Sequence, residues 1–114
     1  MKFRLVITRR AILDRDACFE FIHQANADAA LRWLNAFDDA VRAISFAPHS
    51  GFAPEAKDLD EEIRQKLFKT RHGRPYRILF LIRGKLIYIL HVRGPGQNLM
   101  TPEEIAVPGE PGDQ

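Results

Sequence analysis

Between residues 63 and 102 the chain carries nine lysines and arginines and not one carboxylate: Arg64, Lys66, Lys69, Arg71, Arg74, Arg77, Arg83, Lys85 and Arg93. Residues 1–62 hold eight basic side chains against eleven acidic ones, and the segment after 102 has four acidic residues and no basic one. The overall formal charge of +2 conceals this sorting. A block of one sign creates a local positive potential that attracts phosphate or an acidic protein segment, the plain alternative being a solvated face. Period-two alternation puts Arg64 and Lys66 on one face of a strand, and neighbouring strands supply Arg77, His91 and Arg93, so these groups are expected to converge. Clustered guanidinium and ammonium groups bind RNA phosphates, and stabilise a phosphodiester transition state when an acid or base stands beside them. His91 is the nearby side chain with a suitable unperturbed pKa. Within the apolar run I-Y-I-L-H-V such a histidine is more often a hydrogen-bonded structural residue.

Other chemistry has little to stand on. His23, His49, His72 and His91 match no metal-ligand spacing, and the single cysteine, Cys18, lies on an apolar helix stripe and reads as a small core residue, so no metal is expected. Gly94-Pro95-Gly96 is not a nucleotide cradle, no G-x-S-x-G elbow exists, and no cofactor is expected. The carboxylates fall in loops or on exposed helix faces by pattern, where solvation is their ordinary role. With one cysteine, no signal-peptide pattern at the start and no apolar run of membrane-spanning length, the expectation is a cytoplasmic protein with no membrane partner.

These residues need elements to place them. At 114 residues and 46% hydrophobic, the chain suits one core, with a domain over 1–107 and a flexible tail over 108–114 carrying Pro108, Gly109, Pro111 and Gly112. Lys2–Thr8 alternates as a strand. Ala11, Cys18, Phe21, Ile22 and Ala25 fall on one helical stripe, and Asn26 is placed to cap a second helix on which Ala30, Trp33, Leu34, Phe37, Val41 and Ile44 recur at helical spacing until Pro48 and Gly51. The short link makes the helices an antiparallel hairpin. Residues 48–60 read as a loop. Ile63–Thr70, Tyr76–Arg83 and Lys85–Val92 read as an antiparallel meander with a tight turn at Gly84. R-I-L-F-L-I is apolar at successive positions, which places its strand centrally, with the helices on one face and a cover or partner needed on the other. Thr101-Pro102-Glu103-Glu104 has the pattern of a capping box opening one helical turn.

In this order the segments T-R-R-A-I-L-D (8–14), N-A-D-A-A (26–30), A-P-H-S-G (47–51), Ile63-Arg64, R-P-Y-R-I-L-F (74–80) and I-L-H-V-R (89–93) resemble the ParE/RelE superfamily of bacterial type II toxins, the ParE branch more closely. The resemblance implies an α+β fold, β-α-α-β-β-β, with a helix hairpin on a mostly antiparallel four-stranded sheet and a short C-terminal helical turn. It also implies a cognate antitoxin, with a homodimer when free or a heterotetramer with antitoxin. ParE-like members poison DNA gyrase, and RelE-like members cut mRNA on the ribosome with basic sheet residues and a Tyr or His near the C-terminus. Here no Tyr follows Tyr88 and no His follows His91. The resemblance therefore favours gyrase inhibition. Arg64, Lys66, Lys69, Arg74, Arg77 and Arg93 are then the expected target- or antitoxin-binding residues. The alternatives are a ribonuclease built on Arg64, Lys66, Arg77, His91 and Arg93, with ribosome and mRNA as partners, and a non-toxic nucleic-acid-binding module.

Overall fold

The structure, a computed structural model, describes residues 3–49, 51–59, 61–105, 107 and 108. The first strand, β1, is Arg4–Ile7, followed directly by α1, Arg9–Ala25. Thr8 makes the switch: its hydroxyl donates to the Ile89 carbonyl at 2.8 Å and accepts from the Ala11 amide at 3.2 Å, ending the ladder and capping the helix together. The helix therefore starts two residues ahead of the expected Ala11, and Thr8 is its cap rather than the end of a strand.

Asn26 alone separates α1 from α2, Ala27–Phe46. Its amide bonds to the Ile22 carbonyl at 2.9 Å, and its side-chain oxygen accepts from the Ala29 amide at 2.9 Å, so one residue closes one helix and opens the next. Asp28 sits in the first turn of α2, at the positive end of its dipole. The segment expected as a plain loop contains a short 3₁₀ helix, Pro54–Asp58, with Pro54 at a position where its missing amide hydrogen costs nothing.

Three strands complete the sheet: β2, Arg64–Phe68; β3, Tyr76–Arg83; and β4, Leu86–Arg93. The strand order is β1-β4-β3-β2, with β1 parallel to β4 (Arg4 opposite Leu86, Ile7 opposite Ile89) and the other pairs antiparallel. Gly84, at φ 60°, takes the first position of the two-residue β3–β4 turn, a conformation that would strain any residue with a Cβ. Both central strands are apolar on each face. Ile78, Phe80, Ile87 and Ile89 pack on Trp33, Phe37 and Ile44 of α2. Leu79, Leu81, Tyr88 and Leu90 form a second core on the opposite face.

That second face is closed by the chain itself, since Ala53, Ile63, Met100 and Ile105 are buried against it. The need for a cover is met from within. The Thr101–Glu104 segment is a pair of overlapping turns (Glu104 amide to Thr101 carbonyl, 3.0 Å; Ile105 amide to Pro102 carbonyl, 3.4 Å) in place of the expected helical turn. Half of the capping box is present, the Thr101 amide donating to Glu104 Oε1 at 2.8 Å. That hydrogen bond holds the Glu104 carboxyl below its usual range. Of the expected flexible tail, 109–114 lie outside the described residues.

Candidate functional site

The basic residues do not form one cluster. Register places Arg64 opposite Phe80 and Lys66 opposite Ile78, which puts both on the helix-covered side of β2 along with the buried Phe68. The Arg64 guanidinium lies 4.4 Å from the centre of the Phe52 ring, a cation–π contact on the sheet edge. Arg77 and Arg93 are opposite one another on the other face. The expected convergence fails because residues one apart in register alternate faces, and the Arg64–Lys66 pair and the Arg77–Arg93 pair have opposite parity.

Arg77 is held internally. Its two terminal nitrogens donate to Glu55 Oε1 at 3.0 Å and Oε2 at 2.8 Å, a bidentate pair, and one also reaches Gln65 Oε1 at 3.1 Å. Glu55 Oε2 also accepts the Met100 amide at 3.0 Å. Burial opposes ionisation of Glu55, but the Arg77 hydrogen bonds and the Met100 amide outweigh it and pull the carboxyl down to about 2. Arg93 donates to the Asn98 carbonyl at 2.6 Å. Glu55, Arg77 and Arg93 thus tie the segment carrying Asn98 and Met100 to the sheet. Nothing in the sequence singles out Glu55, since a buried carboxylate in a Pro-rich segment has no periodicity to betray it.

His91 is almost fully buried, at 1% exposure. Its Nδ1 lies 3.2 Å from Asp14 Oδ2, which also accepts the Val92 amide at 3.2 Å, while Asp14 Oδ1 meets Arg10 at 3.2 Å. The imidazole joins α1 to β4. This is the structural reading of His91, and it leaves a substrate no approach to the ring.

Three exposed cations of the basic block, Lys69, Arg71 and Arg74, gather elsewhere, on the turn between β2 and β3. Beside this turn lies a groove of about 680 Å³ lined by α1, α2, the turn itself with Tyr76, and residues 94–97. Trp33 and Tyr76 in its wall belong to an aromatic cluster: Trp33 lies 5.3 Å from Tyr76, edge-on, and behind it 5.6 Å from Phe68 and 5.9 Å from Phe37, centre to centre. Cys18 lines it as well, and burial, with Asp14 nearby, pushes its thiol up to about 11. Tyr76 is likewise raised, mainly by burial. No sequence signal marked this groove, because its walls come from four separated segments.

A family model described as the ParE toxin of the type II toxin-antitoxin system parDE matches residues 5–99. The chain belongs to the ParE toxin family. Among solved structures it is similar to one described as the chromosomal ParDE TA system from P. aeruginosa, with a TM-score of 0.61 and 20% identity over 81% of this chain and 95% of that one. At that identity the likeness is one of fold. Comparison with curated proteins gives no match. The family match takes in Arg64, Arg77, His91 and Arg93.

Proposed function

We propose that this ParE-family chain inhibits DNA gyrase and is neutralised by a cognate antitoxin. The observation that carries the reading is the burial of His91 against Asp14, set beside the family match. General acid–base catalysis contributes roughly 10² to 10⁴ in rate, and it needs a group within hydrogen-bond reach of the proton it moves. Here the imidazole is enclosed. Arg77 and Arg93 are engaged with Glu55 and Asn98, and the exposed Lys69, Arg71 and Arg74 can bind an anionic surface without supplying an acid or a base. A protein target suits such a surface better than RNA cleavage does. Lys69 and Arg74, with the half-buried Arg64 and Lys66, are the proposed contact cations, whereas Arg77 and Arg93 serve the architecture beneath them.

The test is induction of the protein in bacteria with two readouts. The expected result is growth arrest with gyrase trapped on DNA and messenger RNA intact in primer extension on translating ribosomes. Codon-positioned mRNA cuts abolished by His91→Ala in a folded protein would overturn the reading in favour of the ribosome-dependent ribonuclease.

A further inference from the structure

The groove bordered by the helix hairpin, the β2–β3 turn and residues 94–97 has the dimensions of a small-molecule site. Its volume of about 680 Å³ lies within the roughly 300 to 1,000 Å³ of clefts that take such ligands. Phe21, Ile22, Trp33 and Tyr76 make its walls apolar, while Ala17 and Ala29 leave it open. Its polar groups are one-sided. No carboxylate lines it, whereas Arg74 does, and among the described residues Arg74 forms no ion pair with an acidic side chain. Two buried side-chain donors lack an acceptor among the described residues, the Trp33 indole N–H and the Arg93 Nε–H. Trp33, 3% exposed, belongs to the groove wall, and Arg93 directly precedes Gly94, which lines the groove. Burial pushes the groove's Cys18 thiol up, and Arg93 is near enough to act against that rise. Buried donors without acceptors are costly, so this wall is short of acceptors as well as of negative charge.

We infer that this groove binds a free small aromatic acid, a one- or two-ring apolar body whose carboxylate accepts hydrogen bonds from Arg74. The carboxylate follows from charge complementarity: a guanidinium without a counter-ion at the lip of an apolar cleft matches a planar oxyanion. A cationic ligand would meet Arg74 with nothing to offset it, and a neutral hydrocarbon would leave the acceptor shortage as it is. The ring follows from Phe21, Trp33 and Tyr76, whose faces and edges favour an aromatic partner over an aliphatic chain. A second apolar cleft, lined by Phe52, Ala53, Lys57 and Glu62 among others, carries charges of both signs and selects no such ligand. The inference concerns a small molecule and does not rest on the gyrase reading.

The groove holds two built-in reporters, because Trp33 is the single tryptophan of the chain, Cys18 its single cysteine, and both line it. The experiment titrates the full chain with hydrocinnamate, its primary amide and octanoate. With hydrocinnamate the Trp33 emission is expected to change and saturate, and at saturation Cys18 should react about fivefold more slowly with a thiol reagent, because the bound acid excludes it. The amide, which has the same ring and no charge, should bind about tenfold more weakly. Arg74→Ala, at an exposed position, should cost the acid about the same factor, whereas Arg71→Ala, exposed and outside the groove lining, should leave its affinity unchanged. An emission change that rises linearly without saturating, or saturation with no protection of Cys18, overturns the groove as the site. Equal affinity for acid and amide, or an affinity kept in Arg74→Ala, overturns the carboxylate contact. Octanoate that binds as tightly as hydrocinnamate overturns the aromatic assignment and gives the groove to aliphatic acids.

Discussion

At Glu55 burial and ion pairing act in opposite directions, and pairing prevails. The side chain is about 1% exposed, yet its carboxyl is held near 2 against a usual 4.5 because Arg77 and the Met100 amide both prefer it ionised. A carboxyl whose folded pKa lies below its unfolded one stabilises the fold fully above the unfolded value. The stabilisation is lost as pH falls through the folded value, so the window here runs from about 4.5 down to about 2. At neutral pH the contribution is on the order of 3 kcal/mol. Glu55→Gln should lower stability by about 3 kcal/mol at pH 7, since it leaves Arg77 without its counter-charge, and the gap to wild type should close as pH falls toward 2. Urea titrations of both proteins at pH 7, 4 and 2.5 check this; a constant gap would mean that packing rather than charge holds the site. The sequence does not disclose this residue. Periodic patterns reveal residues that repeat along an element, and Glu55 acts once, from a 3₁₀ turn, on partners 22 and 45 residues away.

The elements themselves were largely legible. Alternation and helical stripes find both helices and all four strands because each buries a regular face, and Asn26 stands out as a cap by residue type alone. Boundaries and the assignment of faces were harder. Thr8 fits a strand by propensity, and only the Ile89 carbonyl opposite its hydroxyl makes it a helix cap. The expected meeting of Arg64 and Lys66 with Arg77 and Arg93 depended on register, which no single strand discloses. Asn26 offers a test at this scale. Asn26→Ala should cost about 1 kcal/mol in thermal unfolding, and Asn26→Ser should recover most of it, because the Ala29 amide needs an oxygen acceptor and little else. Equal stability of the alanine and serine variants would show that the link is held by the Ile22 carbonyl bond alone.

Over the whole molecule the balance of covered and uncovered apolar surface decides how the chain associates. The sheet is sealed on both faces, but Ile12, Leu13, Phe21, Leu31, Phe46, Phe52, Leu67 and Leu99 remain exposed among the described residues. Met100 and Ile105 set the limit of good behaviour. A chain ending at Asn98 uncovers Leu79, Leu81, Tyr88 and Leu90, and should aggregate in light scattering where the full chain does not, while keeping its helical circular dichroism. A truncated chain that scatters like the full one would mean the second core seals without them.

The parallel edge of the sheet also carries a consequence for synthesis on the ribosome. β1 emerges ahead of every other element described, but its partner is β4, with Arg4 opposite Leu86 and Ile7 opposite Ile89. Until the chain has been made past Arg93, β1 has no neighbour, β3 lacks one of its two, and Thr8 lacks the carbonyl that fixes its hydroxyl. The helix hairpin can form early, but the sheet beneath it can only be completed late, and long-range pairing of this kind is slow to close. A nascent or prematurely ended chain is therefore not a smaller toxin but an unassembled one.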